Sequence, residues 1–314
     1  MKVSKDQISA ALFGLAIGDA VGVPYEFLSR LEMQQAPAVE MTGYGTHDQP
    51  AGTFSDDTSL SFCLAEMLTG DFSIDQLAQN YLLWTYKNYW TATGEVFDIG
   101  IATNEAMSRL LSGIDPILAG GSELQDNGNG SLMRILPLAF YLRGKNIEER
   151  YELTKQVSSV THRHNISVIG CFYYLEFAIS LINGLGKYQA YQSLQTKIPA
   201  YLKRVGLPEQ EILLYNRLFN SDLSLTRVDE IQSSGYVVHT LEASIWCILK
   251  TDNYKDAVLL AVNLGNDTDT TACVTGGLAG IIYGLDDIPK SWKETLLKRQ
   301  DIEDLATRLF NNLF

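Results

Sequence analysis

The sequence predicts an all-α protein folded as one domain over residues 1–314, and three observations carry that prediction. Apolar residues recur at helical spacing through most of the chain. Alternating β-branched stretches bounded by turn residues are nearly absent. No Pro/Ser linker, charge block or clear repeat divides the chain.

The elements follow in order. Ile8, Ala11, Leu12 and Leu15 share one face of a helix over 8–19, and Asp19 falls on that same apolar face. A buried carboxylate needs a partner, so Asp19 reads as a structural group bonded to backbone. Leu60, Cys63, Leu64, Met67 and Leu68 follow i, i+3, i+4, i+7, i+8 and predict a helix over 58–68. Further helices are expected near 74–90, 100–112, 131–142, 147–160, 166–183, 187–203, 208–220, 237–250, 254–264, 269–283 and 291–312. Two connections are long, the Gly- and Pro-rich 34–55 and the polar 221–236. Loops of that length in a compact domain carry function or move.

Composition narrows the setting. A chain of 314 residues, 46% hydrophobic and 19% charged, has ample material for a core. The net charge of −13, from 24 basic and 37 acidic residues, argues against binding a nucleic-acid backbone. Cys63, Cys171, Cys247 and Cys273 lie far apart in apolar segments, so neither a disulfide framework nor a zinc site is suggested. Asp6 and Asp19 interrupt the N-terminal apolar stretch, which is too short to span a bilayer. A soluble protein of a reducing cytoplasm, without a membrane partner, is expected.

Two acidic turns stand out. In "GNDTDTTACVTGG", 265–277, Asp267 and Asp269 are two apart, so they converge only in a turn that leads into a helix. An N-cap by Asp269 or Thr268, for a helix starting near Thr270, accounts for one carboxylate and leaves the other. Upstream, "GTFSDDTSLSF" sets Ser55, Asp56 and Asp57 at the start of another helix, where adjacent carboxylates repel. Together the two turns would assemble four carboxylates with the hydroxyls of Ser55 and Thr270. Such a cluster is unfavourable alone and becomes a binding site with a divalent cation. Its all-oxygen donors suit Mg²⁺ or Mn²⁺ rather than zinc, and the number of carboxylates suits two ions.

Glu26 follows Gly22 and Pro24, where the first helix should break, so its carboxylate can point into a cleft. Read by itself it is a solvated loop residue. "NGNGSLMR", 127–134, is a Gly-rich turn opening an apolar stretch, either a flexible loop capped by Ser131 or an anion-binding turn. Gly276 and Gly277 lie inside a helix, where each costs about 1 kcal/mol relative to Ala, and close helix packing is the expected reason.

An ordered series of motifs resembles the ADP-ribosylglycohydrolase family: GLAIGDAVGVPYEF at 14–27, GTFSDDTSLS at 52–61, VFDIG at 96–100, GNGSLMRILPLA at 128–139, THRHN at 161–165, SSGYVVHTLEA at 233–243 and GNDTDTTACVTGGLAGIIYG at 265–284. The resemblance implies an all-helical fold with two Mg²⁺ in a central cleft, held by Ser55, Asp56, Asp57, Asp267, Asp269 and Thr270. Many relatives have Thr where Ser55 stands; the hydroxyl is kept. It implies cleavage of the bond between C1 of the distal ribose of ADP-ribose and a modified side chain, in an ADP-ribosylated protein or a small ADP-ribosyl substrate. Glu26, Asp56 and Asp57 are then the candidates for handling protons. Asn129, Gly130, Ser131 and His162 are assigned to the ligand, and Tyr236 to stacking on adenine. Asp98 would receive a guanidinium or else cap the next helix; His164 and Asn165 read as solvated or capping residues.

Other readings fit less of the chain. "DTDTT" matches the nucleophile motif of haloacid-dehalogenase phosphatases, yet that motif follows a strand near the start of an α/β domain, and only 45 residues follow Asp269. All-α terpene synthases use acidic clusters with Mg²⁺, but "SDDTS" lacks DDxxD. A non-catalytic ADP-ribose binder or crystallin-like structural protein is the reading of a different class, and six intact ligand positions weigh against it.

Overall fold

A capping box opens the first helix in the computed structural model, which describes residues 3–314. Ser4 Oγ accepts from the Gln7 N–H at 3.2 Å, and the Gln7 side chain accepts from the Ser4 N–H at 3.2 Å. The helix that follows, α1 (Lys5–Gly22), is buried on every face from Ile8 onward. A helix apolar all round has to lie inside the protein. The apolar run is longer than the 8–19 expected: by length and composition alone, Lys5–Tyr25 and Asn165–Ile182 could each cross a membrane. Length therefore does not separate core helix from span here. Burial does, because 94% and 89% of the two windows are covered by the rest of the protein.

In chain order there follow α2 (Arg30–Gln35), α3 (Asp56–Met67), α4 (Ile74–Lys87), α5 (Ile101–Leu111) and α6 (Pro116–Ala119). Then come α7 (Leu138–Leu142), α8 (Ile147–Ser159), α9 (Asn165–Ile182), α10 (Lys187–Arg204), α11 (Glu209–Leu213) and α12 (Asn216–Asn220). The chain closes with α13 (Val237–Lys250), α14 (Tyr254–Val262), α15 (Thr268–Tyr283), α16 (Lys290–Thr295) and α17 (Arg299–Leu313). Among the described residues there is no strand, only three isolated bridges. The core is one continuous cluster that includes side chains from α1, α3, α9, α13 and α15.

Three expected helices are shorter or divided. Residues 131–134 form turns, and helix resumes only at α7, after Pro137, whose ring cannot donate and disfavours helix in the residue before it. The helix expected over 208–220 is α11 and α12 with a break between them. That over 291–312 is α16 and α17, separated where Lys298 takes φ 56°, a left-handed conformation that no helix continues through. The long connections are locally ordered. Asn263 bonds both backbone groups of Ala38, at 2.9 and 3.0 Å, and a 3-10 turn spans Gly45–His47. Residues 221–236 contain the 3-10 turns Leu223–Leu225 and Val228–Glu230.

The tightest crossing is α1 against α15. A Cβ on Gly18 would lie 2.1 Å from the Ala272 carbonyl oxygen, and one on Gly276 would lie 2.3 Å from that of Gly14. A Cβ on Gly277 would lie 2.3 Å from Leu136 Cδ2 in the turn before α7, so helix packing explains Gly276 and a close side chain explains Gly277. At the end of the crossing Gly22 abuts Asp269, whose Cα a Cβ there would approach to 2.3 Å. Gly18→Ala is expected to destabilise the protein by roughly 1–3 kcal/mol or more, the range for overpacking. Gly70→Ala, where a Cβ meets nothing within 4 Å, should change stability by less than about 0.5 kcal/mol. Urea unfolding of the two variants checks the contrast.

Candidate functional site

The two acidic turns meet. The α3 turn is fixed from α1: the Ser55 N–H donates to both carboxylate oxygens of Asp19 at 3.0 Å, and Thr58 donates to Asp19 Oδ2 through its N–H (3.1 Å) and hydroxyl (2.6 Å). Asp19 is therefore the structural carboxylate expected. Ser55 caps α3, accepting from the Asp57 N–H at 3.3 Å. The α15 turn is fixed by left-handed Gly265 and Asn266. Asn266 exchanges backbone bonds with Phe27 and Leu28, both at 2.6 Å, which brings Glu26 beside Asp267 and Asp269. The helix starts at Thr268, with Asp267 in the cap position and no side-chain cap. Asp269 accepts only from the next residue, the Thr270 N–H at 2.8 Å. The cap reading thus leaves its second oxygen unexplained.

Hydrogen bonds inside the cluster do not satisfy it. Asn129 Nδ2 donates to Asp267 Oδ2 at 2.7 Å, and Thr270 Oγ1 to Asp57 Oδ1 at 3.3 Å. Asp57 Oδ2, Asp267 Oδ1 and Asp269 Oδ2 are buried without a partner. Burial first, and the neighbouring carboxylates second, push Asp56, Asp57 and Asp269 well above the usual carboxylate range; burial also raises Asp267. Glu26, Asp267 and Asp269 offer oxygens within 4.8 Å of one another. Unpartnered oxygens on like charges, drawn from two helix starts, fit a hard divalent cation. Asp57 also lies near Asp19 and Cys273, but Asp19 is consumed by its four hydrogen bonds and burial pushes the Cys273 thiol well up, so that trio does not suit one.

The cluster opens into a cleft of 480 Å³. Glu26, Asp56, Asp57, Asp267 and Thr270 line it. Asp98, Asn129, Gly130 and His162 complete the expected lining. Ser55 and Asp269 are buried at the two turns rather than lining it. Ser131 is fully buried, its hydroxyl bonded to Ser158 Oγ at 2.9 Å and beside Cys171 Sγ at 3.3 Å, so it neither lines the cleft nor caps a helix. Tyr236 is outside the lining too, edge-on to His239 at 5.1 Å, although its backbone bridges to lining residue Gly128. Asp98 does not cap α5; Gly100 holds that position, and Asp98 faces Glu26 instead. His164 does cap α9, accepting from the Ile166 N–H at 3.2 Å.

His47 was not foreseen. Its Nε2 lies 2.5 Å from Glu26 Oε2 and 4.0 Å from Asp98 Oδ1, and Thr46 Oγ1 donates to the Glu26 carbonyl at 2.7 Å. The one signal for it was its place in the long 34–55 loop. Burial, then the charge of Asp267, pushes Glu26 up to about 8. Burial, then the charge of Glu26, pushes Asp98 up to about 7, with His47 opposing.

These shifts set a sign. Ordinary values of 4.5 and 3.8 mean that the folded protein holds protons that the unfolded chain releases. The contribution to stability is therefore present below about pH 4 and lost as pH rises through about 8. In chelator-treated protein the Tm should fall by several degrees between pH 5 and pH 8. Mg²⁺ should restore it, because a ligand bound only to the folded state stabilises that state. Glu26→Gln should flatten the pH dependence in thermal scans.

Residues 2–313 match the ADP-ribosylglycohydrolase family. The chain is 34% identical to "ADP-ribosylarginine hydrolase Tri1" of Serratia proteamaculans, across 98% of this chain and 80% of that protein. It is 28% identical to the ADP-ribosyl-[dinitrogen reductase] glycohydrolase of Rhodospirillum rubrum, across 93% and 90%. A solved structure described as an ADP-ribosylglycohydrolase-related protein complex superposes with a TM-score of 0.82 at 28% identity, across 99% of both chains. With the fold, the acidic cleft and this match along its length, the chain belongs to the ADP-ribosylglycohydrolase family of glycosidases.

Proposed function

We propose that the protein is a Mg²⁺-dependent hydrolase that removes ADP-ribose from arginine side chains of modified proteins in the cytoplasm. The observation that carries the reading is the set of unpartnered, buried carboxylate oxygens of Asp57 and Asp267, which line the cleft, and of Asp269, buried in the α15 turn. Ser55, Asp56, Asp57, Asp267, Asp269 and Thr270 would hold the ions, two by the number of carboxylates, with Mn²⁺ as a substitute. Bound there, a divalent ion supplies Lewis acidity and a water of lowered pKa. The ring of His47 and the hydroxyl of Thr46 hold Glu26 at the cleft, and its raised pKa suits a group that exchanges protons near neutral pH. Cleavage of a glycosidic bond passes through a cation-like state at C1, which the surrounding carboxylates favour electrostatically.

Arginine as the linkage rests on a pair of acids in the cleft lining. Asp98 and Glu26 sit together there, both with raised pKa values, and a planar cation would relieve their repulsion. The relatives called ADP-ribosylarginine hydrolase, in Serratia proteamaculans and Pseudomonas putida, support the same choice.

Release of ADP-ribose from an arginine-linked protein should require Mg²⁺ or Mn²⁺ and stop on chelation. Full turnover after exhaustive chelation would overturn the metal assignment, and binding of ADP-ribose without turnover would mark a non-catalytic binder. Glu26→Gln should lower turnover by roughly 10²–10⁴-fold, the range for losing a general acid or base, with a much smaller change in ADP-ribose affinity by calorimetry. Asp98→Asn should slow arginine-linked substrate about tenfold or more relative to a serine-linked one, as loss of a charge-assisted contact to the leaving group requires. Equal effects on both linkages would remove Asp98 from acceptor recognition.

A further inference from the structure

Arg134 is fully buried, and among the described residues no carboxylate pairs with it. A buried guanidinium is costly unless its donors are used, and here they are. Nε donates to Tyr81 Oη at 2.6 Å, and Nη1 to the Gly130 carbonyl at 2.6 Å and to Thr161 Oγ1 at 2.7 Å. Nη2 reaches the Val157 carbonyl at 3.3 Å, and the group lies 4.8 Å over the Tyr81 ring. Two of these partners belong to the cleft. Gly130 lines it, and Thr161 Oγ1 lies 2.8 Å from His162 Nδ1.

The direction of the hydrogen bonds follows from what each group can do. A guanidinium only donates, so Thr161 Oγ1 accepts from Arg134. The hydroxyl hydrogen of Thr161 then has one remaining partner, His162 Nδ1. If Nδ1 carried the ring proton instead, that hydroxyl hydrogen would be buried with no acceptor, the costly arrangement. Nδ1 therefore accepts. The backbone of His162 is fixed, because its N–H donates to the Ser158 carbonyl and Ser158 Oγ donates to its carbonyl, both at 2.8 Å, and the Thr161 hydroxyl bond holds the ring. The ring lies flush against the glycine turn: a Cβ on Gly130 would lie 2.7 Å from His162 Cε1, and one on Gly128 would lie 3.5 Å from Nε2.

We propose that Arg134 and Thr161 are positioning residues that fix the ring proton of His162 on Nε2, so that the cleft presents a hydrogen-bond donor to an anionic oxygen of the diphosphate of ADP-ribose. The identity of that ligand rests on the function proposed above; the placement of the proton does not. Burial and the nearby Arg134 hold the imidazolium of His162 down, to about 3, so the donor carries no charge at neutral pH. The Gly130 amide has no backbone acceptor among the described residues, and Gly130 lines the cleft against the His162 ring. Together they form an anion-binding edge built without lysine or arginine at the ligand, in a cleft also lined by Glu26, Asp56, Asp57 and Asp267.

The test is ¹⁵N-histidine NMR of the full chain without ligand, reading which ring nitrogen bears the proton, with His162→Gln to assign the signal among the four histidines. Wild type should show the Nε2–H form. Thr161→Val, which removes only the relay hydroxyl, should mix the tautomers and weaken ADP-ribose binding about tenfold by calorimetry, the loss of roughly one charge-assisted hydrogen bond. Thr161→Ser should restore both readouts. An Nδ1–H form in wild type overturns the assignment even if no variant folds. So does a Thr161→Val protein with unchanged spectrum and affinity. An Nε2–H spectrum in a wild-type protein that binds no ADP-ribose overturns the ligand and leaves the relay standing.

Discussion

The backbone-to-backbone crossing of α1 and α15 is the constraint on which the site depends. Gly14 and Gly18 on one helix, with Ala272 and Gly276 on the other, admit no side chain larger than what is there. The close approach carries Gly22 against Asp269 and so sets the height of the α15 turn. The same helix sends Asp19 sideways to hold the first turn of α3. One central helix thus locates both acidic turns, and the hydroxyls of Thr58 and Thr268 at the two helix starts bond back to it.

That placement opposes stability. Four aspartates and Glu26 are gathered where burial raises their pKa values, and for Asp56, Asp57, Asp269 and Glu26 the neighbouring carboxylates add to it. Interiors normally pair their charges; here a large continuous core sustains a local arrangement that only protons or a cation relieve. Strain of this kind concentrates at functional sites because the surrounding packing over-determines it. It also resolves the conflict between a net charge of −13 and a diphosphate ligand. The net charge belongs to the whole chain, whereas Gly130 and His162 offer uncharged donors within the same cleft as the carboxylates.

Much of this was legible in the chain. Helical spacing identified nearly every long helix, because a 3.6-residue period is a local property that burial merely uses. The pairing of the turns at Ser55 and Asp267 followed from chemistry, since two carboxylates beside one another at a helix start need a counter-charge wherever they lie. Asp19 was separable from the site on its own pattern, as the polar residue on an apolar face. Where local rules failed, the reason was also local. Pro137 ended the expected helix over 131–142, and a left-handed Lys298 divided another.

Only the tertiary structure decided what enters the cleft. His47 carries no motif, and it reaches Glu26 because the Gly45 turn packs so close to Pro24 that a Cβ would fall 2.0 Å from its carbonyl oxygen. Ser131 sits in the very motif that supplies Asn129 and Gly130, yet its side chain points to Ser158. Arg134, three residues on, is buried and bonded to the Gly130 carbonyl of the ligand turn. The sequence by itself determined the helices, the acidic turns and the need for a cation, because those follow from spacing and charge. Which side chains face the cleft depends on contacts between residues far apart in the chain, and no local pattern encodes that.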